Sequence, residues 1–303
     1  MSIKRHIFRV NRKVLSQVRY ASFQRGAEAG WGVVRGSVLH RLDGHGGLPV
    51  GLKDLLARLA DGFEPDLAGA ATLPLDGLTL LPPIPDPAKI LCVANNFHEE
   101  GKPAPDYPLV FTRYPDSLVG HGTPIRMPAV SDSFDYEGEV ALVIGKAGHR
   151  IPHDRALDHI AGYACFNDGS VRDWQKHSSQ FTPGKTFFQS GSFGPWMVVR
   201  RAMPDLSAAT LTTRVNGVVK QQIALSRMIF DPAWLIAYVS TFTPLAPGDI
   251  IATGTPGGFG ATRRPPEFLR PGDRVEVKVT ALGTLANSVV EDHDPRREFF
   301  RKE

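Results

Sequence analysis

A β-rich α+β fold is predicted by three features of the sequence. Its 30 glycines and 25 prolines are spread along all 303 residues, short apolar runs recur between them, and few stretches carry helical spacing. Glycine and proline at that density impose many turns and short strands. At 42% hydrophobic and 22% charged residues, the chain has enough apolar side chain for one large core. Collagen, coiled coil and disorder are excluded.

The first elements form a small unit, residues 17–81, behind a basic extension, residues 1–16. Strands are expected at Gln17–Phe23, Gly32–Val34 and Val38–Leu42. Leu52, Leu55, Leu56 and Leu59 fall at helical spacing until Gly62 stops them. In residues 82–88, prolines 82, 83, 85 and 87 remove backbone donors and fix φ, so the segment reads as a linker. A catalytic-sized domain, 89–292, follows. Its strands are read at Ile90–Ala94, Leu109–Thr112, Val140–Ile144, Ile160–Phe166, Trp196–Val199, Leu211–Val215, Ile250–Thr253 and Val275–Val279. Asp231-Pro232 ahead of Trp234, Leu235, Ala237 and Tyr238 predicts a helix with Asp as cap and Pro in its first turn. Residues 293–303 are a charged tail.

The formal net charge of +4 is smaller than the local excess at the start, where Lys4, Arg5, Arg9, Arg12, Lys13 and Arg19 precede the first acid, Glu28. That run has the composition of an organelle transit peptide, which makes a mitochondrial location the alternative to a cytoplasmic one. It lacks the interleaved aromatics of a nucleic-acid module, so no nucleic-acid partner is expected. No apolar run approaches the roughly 20 residues that span a bilayer, so a soluble protein with no membrane partner is expected. Cys92 and Cys165, each within an apolar run, make no disulfide framework and suit a reducing compartment.

The densest chemistry lies in Asp135-Tyr-Glu-Gly-Glu-Val140. In an extended strand, side chains at i and i+2 share a face, so Glu137 and Glu139 point the same way. On a solvated strand the pair would cost little. The strand continues as a nearly all-apolar run, however, and a buried carboxylate pair must be protonated or met by a cation. Oxygen-only donors favour Mg²⁺, Mn²⁺ or Ca²⁺ over zinc. Asp168 supplies a third acid at the end of another apolar strand, or else marks a plain Asp-Gly turn. Arg172, Gln175 and Lys185 follow in a segment too polar to be core. Other signatures fail: Gly184-Lys185-Thr186 lacks the upstream glycine of a phosphate loop, where Ser179 stands. Gly258 and Gly260 lack a third glycine at Arg263, and Ser192 lacks the glycine of a nucleophile elbow at Ser190.

From about Lys89 to Asp292 the chain resembles the fumarylacetoacetate hydrolase superfamily. Five ordered blocks carry the resemblance: Asp135-Tyr-Glu-Gly-Glu-Val, Phe166-Asn-Asp-Gly-Ser-Val-Arg-Asp-Trp-Gln175, Gly184-Lys-Thr-Phe, Gly194-Pro-Trp and Thr253-Gly-Thr-Pro-Gly-Gly-Phe-Gly260. The small first unit is similar to the N-terminal domain of longer members. The resemblance implies a distorted β-sandwich or roll with a divalent cation, Mg²⁺ or Mn²⁺, held by Glu137, Glu139 and Asp168 at its open end. It implies Lys185 beside the developing enolate, and Arg172, Gln175 and Thr255 as substrate-binding side chains. A small oxo-carboxylate substrate and a homodimer are implied too, the latter helped by aromatics at Phe187, Phe188 and Phe193.

Hydrolytic members add a lid His and Glu that activate water. Here the corresponding run, Cys92-Val-Ala-Asn-Asn-Phe-His98-Glu99-Glu100-Gly101, is about four residues short before Pro103. His98 with Glu99 or Glu100 is the candidate base. The expected activity is therefore metal-dependent hydrolysis of a C–C bond in a 2,4-dioxo, acylpyruvate-like acid through a metal-stabilised enolate. Decarboxylation or isomerisation of a 2-oxo or 2-hydroxymuconate-type acid at the same site is the alternative. A non-catalytic binding protein on the same scaffold is the reading from another class.

Overall fold

The computed structural model describes residues 18–99, 101 and 103–292. The basic extension, Glu100 and the charged tail lie outside them. The first unit contains β1 (Arg19–Arg25), β2 (Glu28–Arg35), β3 (Val38–Arg41), a 3-10 turn at Leu52–Leu55, α1 (Leu56–Ala60), β4 (Thr72–Pro74) and β5 (Thr79–Leu80). Past the prolines come β6 (Ile90–Ala94), β7 (Leu109–Arg113), β8 (Leu118–Val119), β9 (Ile125–Met127) and β10 (Phe134–Asp135). The middle holds β11 (Gly138–Ile144), β12 (Ile160–Asn167), β13 (Ser170–Val171), α2 (Arg172–Gln175), α3 (Thr182–Lys185) and β14 (Gly191–Val199). The chain then makes β15 (Thr210–Val215), β16 (Val218–Ala224), α4 (Pro232–Phe242), β17 (Ile250–Ala252), β18 (Arg274–Val279) and β19 (Gly283–Glu291). The architecture is sheet-rich α+β, as the composition predicts.

A twelve-stranded mixed sheet runs in the order β4-β3-β2-β1-β14-β12-β11-β17-β6-β7, with β5 beside β1 and β8 beside β14. A five-stranded sheet, β16-β15-β18-β19-β9, packs on it. The first unit is continuous with the large sheet, because Arg19 and Tyr20 of β1 pair with Val198 and Met197 of β14. The proline segment does not hang free: Ser22 Oγ donates to the Pro83 carbonyl at 2.8 Å, and Ile84 is buried.

The strands β11 and β12 explain why their sequences are apolar at every position. Val140, Leu142 and Ile144 enter a core shared with Leu211, Val277, Leu285 and helix α4. Ala141 and Val143 enter a second core with Trp31, Leu52, Leu55 and Leu56. Period-two alternation thus feeds two cores from one strand, and neither face meets water. Phe193, one of the three aromatics expected to help a homodimer, is instead fully buried on the same side as Phe166. Among its neighbours only Phe188 is exposed, since β14 is a central strand and its residue 193 points into the core.

Helix α4 begins as expected: Asp231 Oδ1 accepts the Trp234 N–H at 2.8 Å and Pro232 occupies the first turn. Asp231→Ala removes that cap and should lower stability by about 1 kcal/mol. In thermal melts this is a fall of roughly 2–4 °C, and an unchanged melting temperature would show that the cap contributes nothing. No helix among the described residues is long and apolar enough to cross a membrane.

Candidate metal centre

Glu137 and Glu139 flank Gly138 where β11 begins, and Asp168 follows the end of β12. The ladder pairs Gly138 with Asn167 and Glu139 with Phe166. Past its end the Asp168 N–H donates to the Glu137 carbonyl at 2.9 Å, and Asn167 Oδ1 accepts the Glu137 N–H at 3.1 Å. This register brings one carboxylate oxygen from each of Glu137, Glu139 and Asp168 within 4.8 Å of the others, all three side chains being buried. Gly138 lacks a side chain because the second sheet sits there: a Cβ would lie 2.0 Å from Thr213 Oγ1.

Cations surround the acids. Lys185 Nζ donates to Glu137 Oε2 at 2.8 Å and to Asp168 Oδ2 at 2.6 Å. Arg113, on β7, donates to Asp168 Oδ1 at 2.6 Å and to the Gly169 carbonyl at 2.8 Å. Arg172 pairs with Glu137 Oε1 at 2.5 Å and with Asp135 Oδ2 at 2.8 Å. The segment expected to be too polar for the core is therefore buried at Arg172 and Lys185. Ion pairing compensates the desolvation that composition alone would forbid.

Four buried carboxylates, Asp135, Glu137, Glu139 and Asp168, face three buried cations, leaving one negative charge over. Among the described residues Glu139 is in no ion pair; its Oε2 accepts the Gly254 N–H at 2.9 Å. Burial, reinforced by the charges of Asp168 and Glu137, holds its pKa well above the usual carboxylate value. Burial also pushes Asp168 up, but Lys185 and Arg113 outweigh it and hold its pKa low. Burial disfavours the Lys185 ammonium, yet Asp168 and Glu137 prevail and raise its pKa. An oxygen-only set with one uncompensated carboxylate fits a hard divalent cation.

The segment Thr253–Ala261 runs antiparallel to this strand and prolongs the Ala141–Ala252 pairing through side chains. Thr253 Oγ1 donates to Val140 O, Gly254 N to Glu139, Thr255 Oγ1 to Gly138 O, and Tyr136 Oη to Gly258 O. Gly260 and Ala261 N–H groups then reach Asp135. From the second sheet, Gln221 accepts the Gly138 N–H and donates to Thr255 Oγ1 and Pro256 O. The loop that carries Thr255 is thereby fixed against the acids.

Of the remaining expected site residues, Gln175 meets the cluster through Arg172 and His98 stands apart from it. Gln175 Oε1 accepts from Arg172 at 3.0 Å, while Arg172 Nη2 is buried without a hydrogen-bond partner. His98 is exposed on a cavity of about 300 Å³, lined also by Asn95, Phe97, Glu99, Pro103 and Ile229. None of the three clustered acids lines that cavity. Glu100 lies outside the described residues. Sequence reasoning missed Arg113, Asp135 and Gln221. An arginine closing the apolar run Leu109–Thr112 is the one local signal that could have marked the first of them.

Residues 89–290 match the family model described as fumarylacetoacetate (FAA) hydrolase C-terminal. The chain is 41% identical over 219 residues to the mitochondrial oxaloacetate tautomerase fahd2 of Xenopus laevis, covering 70% of this chain and 69% of that protein. It is 40% identical over 232 residues to the oxaloacetate tautomerase YisK of Bacillus subtilis, covering 74% and 77%. Among solved structures, a fumarylacetoacetate hydrolase from Exiguobacterium antarcticum superposes with TM-score 0.83 at 32% identity, over 91% of this chain and 100% of that one. A 2-hydroxyhepta-2,4-diene-1,7-dioate isomerase from Mycobacterium marinum gives 0.76 at 30% identity, over 92% and 100%. With the acid cluster gathered at the ends of β11 and β12 inside the matched region, and the match extending over well more than half its length, the chain belongs to the fumarylacetoacetate hydrolase family of enzymes.

Proposed function

We propose that this chain is a divalent-metal-dependent enzyme that interconverts the keto and enol forms of a small 2-oxo dicarboxylate, with oxaloacetate the first substrate to test. The observation that carries the reading is the uncompensated Glu139 within a buried acid cluster whose other members are paired. Glu137, Glu139 and Asp168 would hold Mg²⁺ or Mn²⁺, which when bound supplies Lewis-acid polarisation of a chelated 2-oxo acid. Lys185 Nζ, held by two carboxylates, would supply a fixed positive charge to a developing enolate. The buried, unpartnered Arg172 Nη2 and the Thr255 loop are the polar groups available to a substrate carboxylate.

Tautomerisation moves a proton between carbon and oxygen and consumes no water. Both reactions need a proton carrier at the reacting carbon, but hydrolysis needs in addition a base that activates water, and His98, the residue expected in that part, lies on a cavity the acids do not line. The relatives named oxaloacetate tautomerases support the same choice. Hydrolysis of an acylpyruvate is the second reading, favoured by the His98–Glu99 cavity and by the hydrolase among the structural neighbours. Two buried free thiols favour a reducing compartment, cytoplasmic or mitochondrial, and the exposed Phe188 supports a homodimer.

Metal-stripped protein should show no activity. Mn²⁺ or Mg²⁺ should restore a decay of enol absorbance with oxaloacetate at least about ten-fold above the metal-only control. Mn²⁺ at 100 times its Kd should also raise the melting temperature by about 5 °C or more. Turnover that survives chelation, or none with oxaloacetate or any acylpyruvate, would defeat the proposal.

A further inference from the structure

We infer that Asp135 is a positioning residue that divides the charge of Arg172, and so sets how tightly the acid cluster takes a divalent cation. The inference rests on the metal reading above. Asp135 is fully buried. Its Oδ1 accepts the N–H groups of Tyr136 at 2.9 Å and Gly260 at 2.7 Å, and its Oδ2 accepts Ala261 N–H at 2.9 Å and Arg172 Nε at 2.8 Å. Arg172 is equally fixed, with Nη1 on Glu137 Oε1 and on Gln175, and its guanidinium over the Phe259 ring at 4.4 Å.

One immobile cation thus stands between two carboxylates, only one of which faces the cluster. Because the guanidinium cannot lose its proton, its field on Glu137 is moderated only by the second anion. Without the Asp135 charge, Glu137 would be neutralised by Arg172 and Lys185 together, and its oxygens would be poorer donors to an incoming cation. The same carboxylate places the Gly260–Ala261 end of the substrate loop through two further acceptor bonds. Metal affinity runs through Arg172 and loop placement runs through the amides, so the two roles can be separated.

The test is calorimetric titration of Mn²⁺ into the metal-stripped full chain, with the KM for oxaloacetate measured at saturating Mn²⁺. Asp135→Asn should bind Mn²⁺ about ten-fold or more weakly than wild type. KM should rise in Asp135→Asn, where Arg172 is intact, and in Asp135→Asn/Arg172→Gln, where the excess cation is gone, Mn²⁺ affinity should return to within about three-fold of wild type. Equal affinity of Asp135→Asn and wild type, or a loss that persists in the double variant, overturns the inference and leaves the metal reading intact. A wild-type chain that takes up no Mn²⁺ overturns both. Should Asp135→Asn fail to fold by circular dichroism, the double variant decides alone, since it adds no unpaired charge to that of wild type: affinity more than about ten-fold below wild type overturns the inference.

Discussion

Glu137→Gln is expected to abolish metal-dependent turnover, by about a thousand-fold or more, while the protein stays folded. The first half follows from the proposed metal centre, which would lose one of its three anionic donors and with it several kcal/mol of charge stabilisation during the reaction. The second half follows from how the cluster is wired. Arg172 keeps Asp135 and Lys185 keeps Asp168 when Glu137 becomes neutral, so neither cation is stranded. A glutamine also fits the same volume beside Asn167 and Gly138. The melting temperature should therefore stay within about 5 °C of wild type. Undiminished turnover in this variant would remove the acid cluster from the chemistry, and a large loss of stability would show that the network depends on Glu137 more than its pairings indicate.

Arg113→Ala should have the opposite profile, with stability as the principal loss. Both Arg113 and Asp168 have fully buried side chains, and the guanidinium also donates to Gly169 O, Ser190 Oγ and Ser117 Oγ. Removing it strands a carboxylate oxygen and a carbonyl in the interior, while the Ser117 and Ser190 hydroxyls keep only their bonds to Tyr114 O and Phe187 O, a change of about 3–5 kcal/mol. For a chain of this size that is a melting temperature lower by roughly 10 °C. Arg113→Lys retains the charge but not the forked geometry, and should recover only part of the loss. Melts of the two variants under identical metal-free conditions decide the matter, and an alanine variant as stable as wild type would contradict the buried-pair account.

The contrast between these variants marks where the sequence was informative. Strand positions were legible because apolar runs report burial directly, and β6 falls at Ile90–Ala94 as read. Strands β16 and β19 were not, since Val218–Ala224 is an exposed edge carrying Lys220 and Gln222, and Gly283–Glu291 mixes Thr, Asn and Ser into its run. The proline segment gave no hint that β1 pairs with β14, because backbone hydrogen bonds leave no side-chain signature.

Within the site, side-chain parity along one strand is a local property, so residues 137 and 139 alone sufficed to place two acids on one face. Their closeness to Asp168 depended on the register of β11 against β12, fixed by two cores that must both be filled. The pairing of Arg113 with an acid 55 residues away, and the reach of Gln221 to the Gly138 N–H 83 residues away, were decided only by the packed sheets. Charge balance in a buried cluster is a sum over groups brought together by folding. The chain order records each charge but not its neighbours, and for that reason Glu137, Glu139, Asp168, Arg172 and Lys185 could be read from the sequence while the pairing of acid with cation could not.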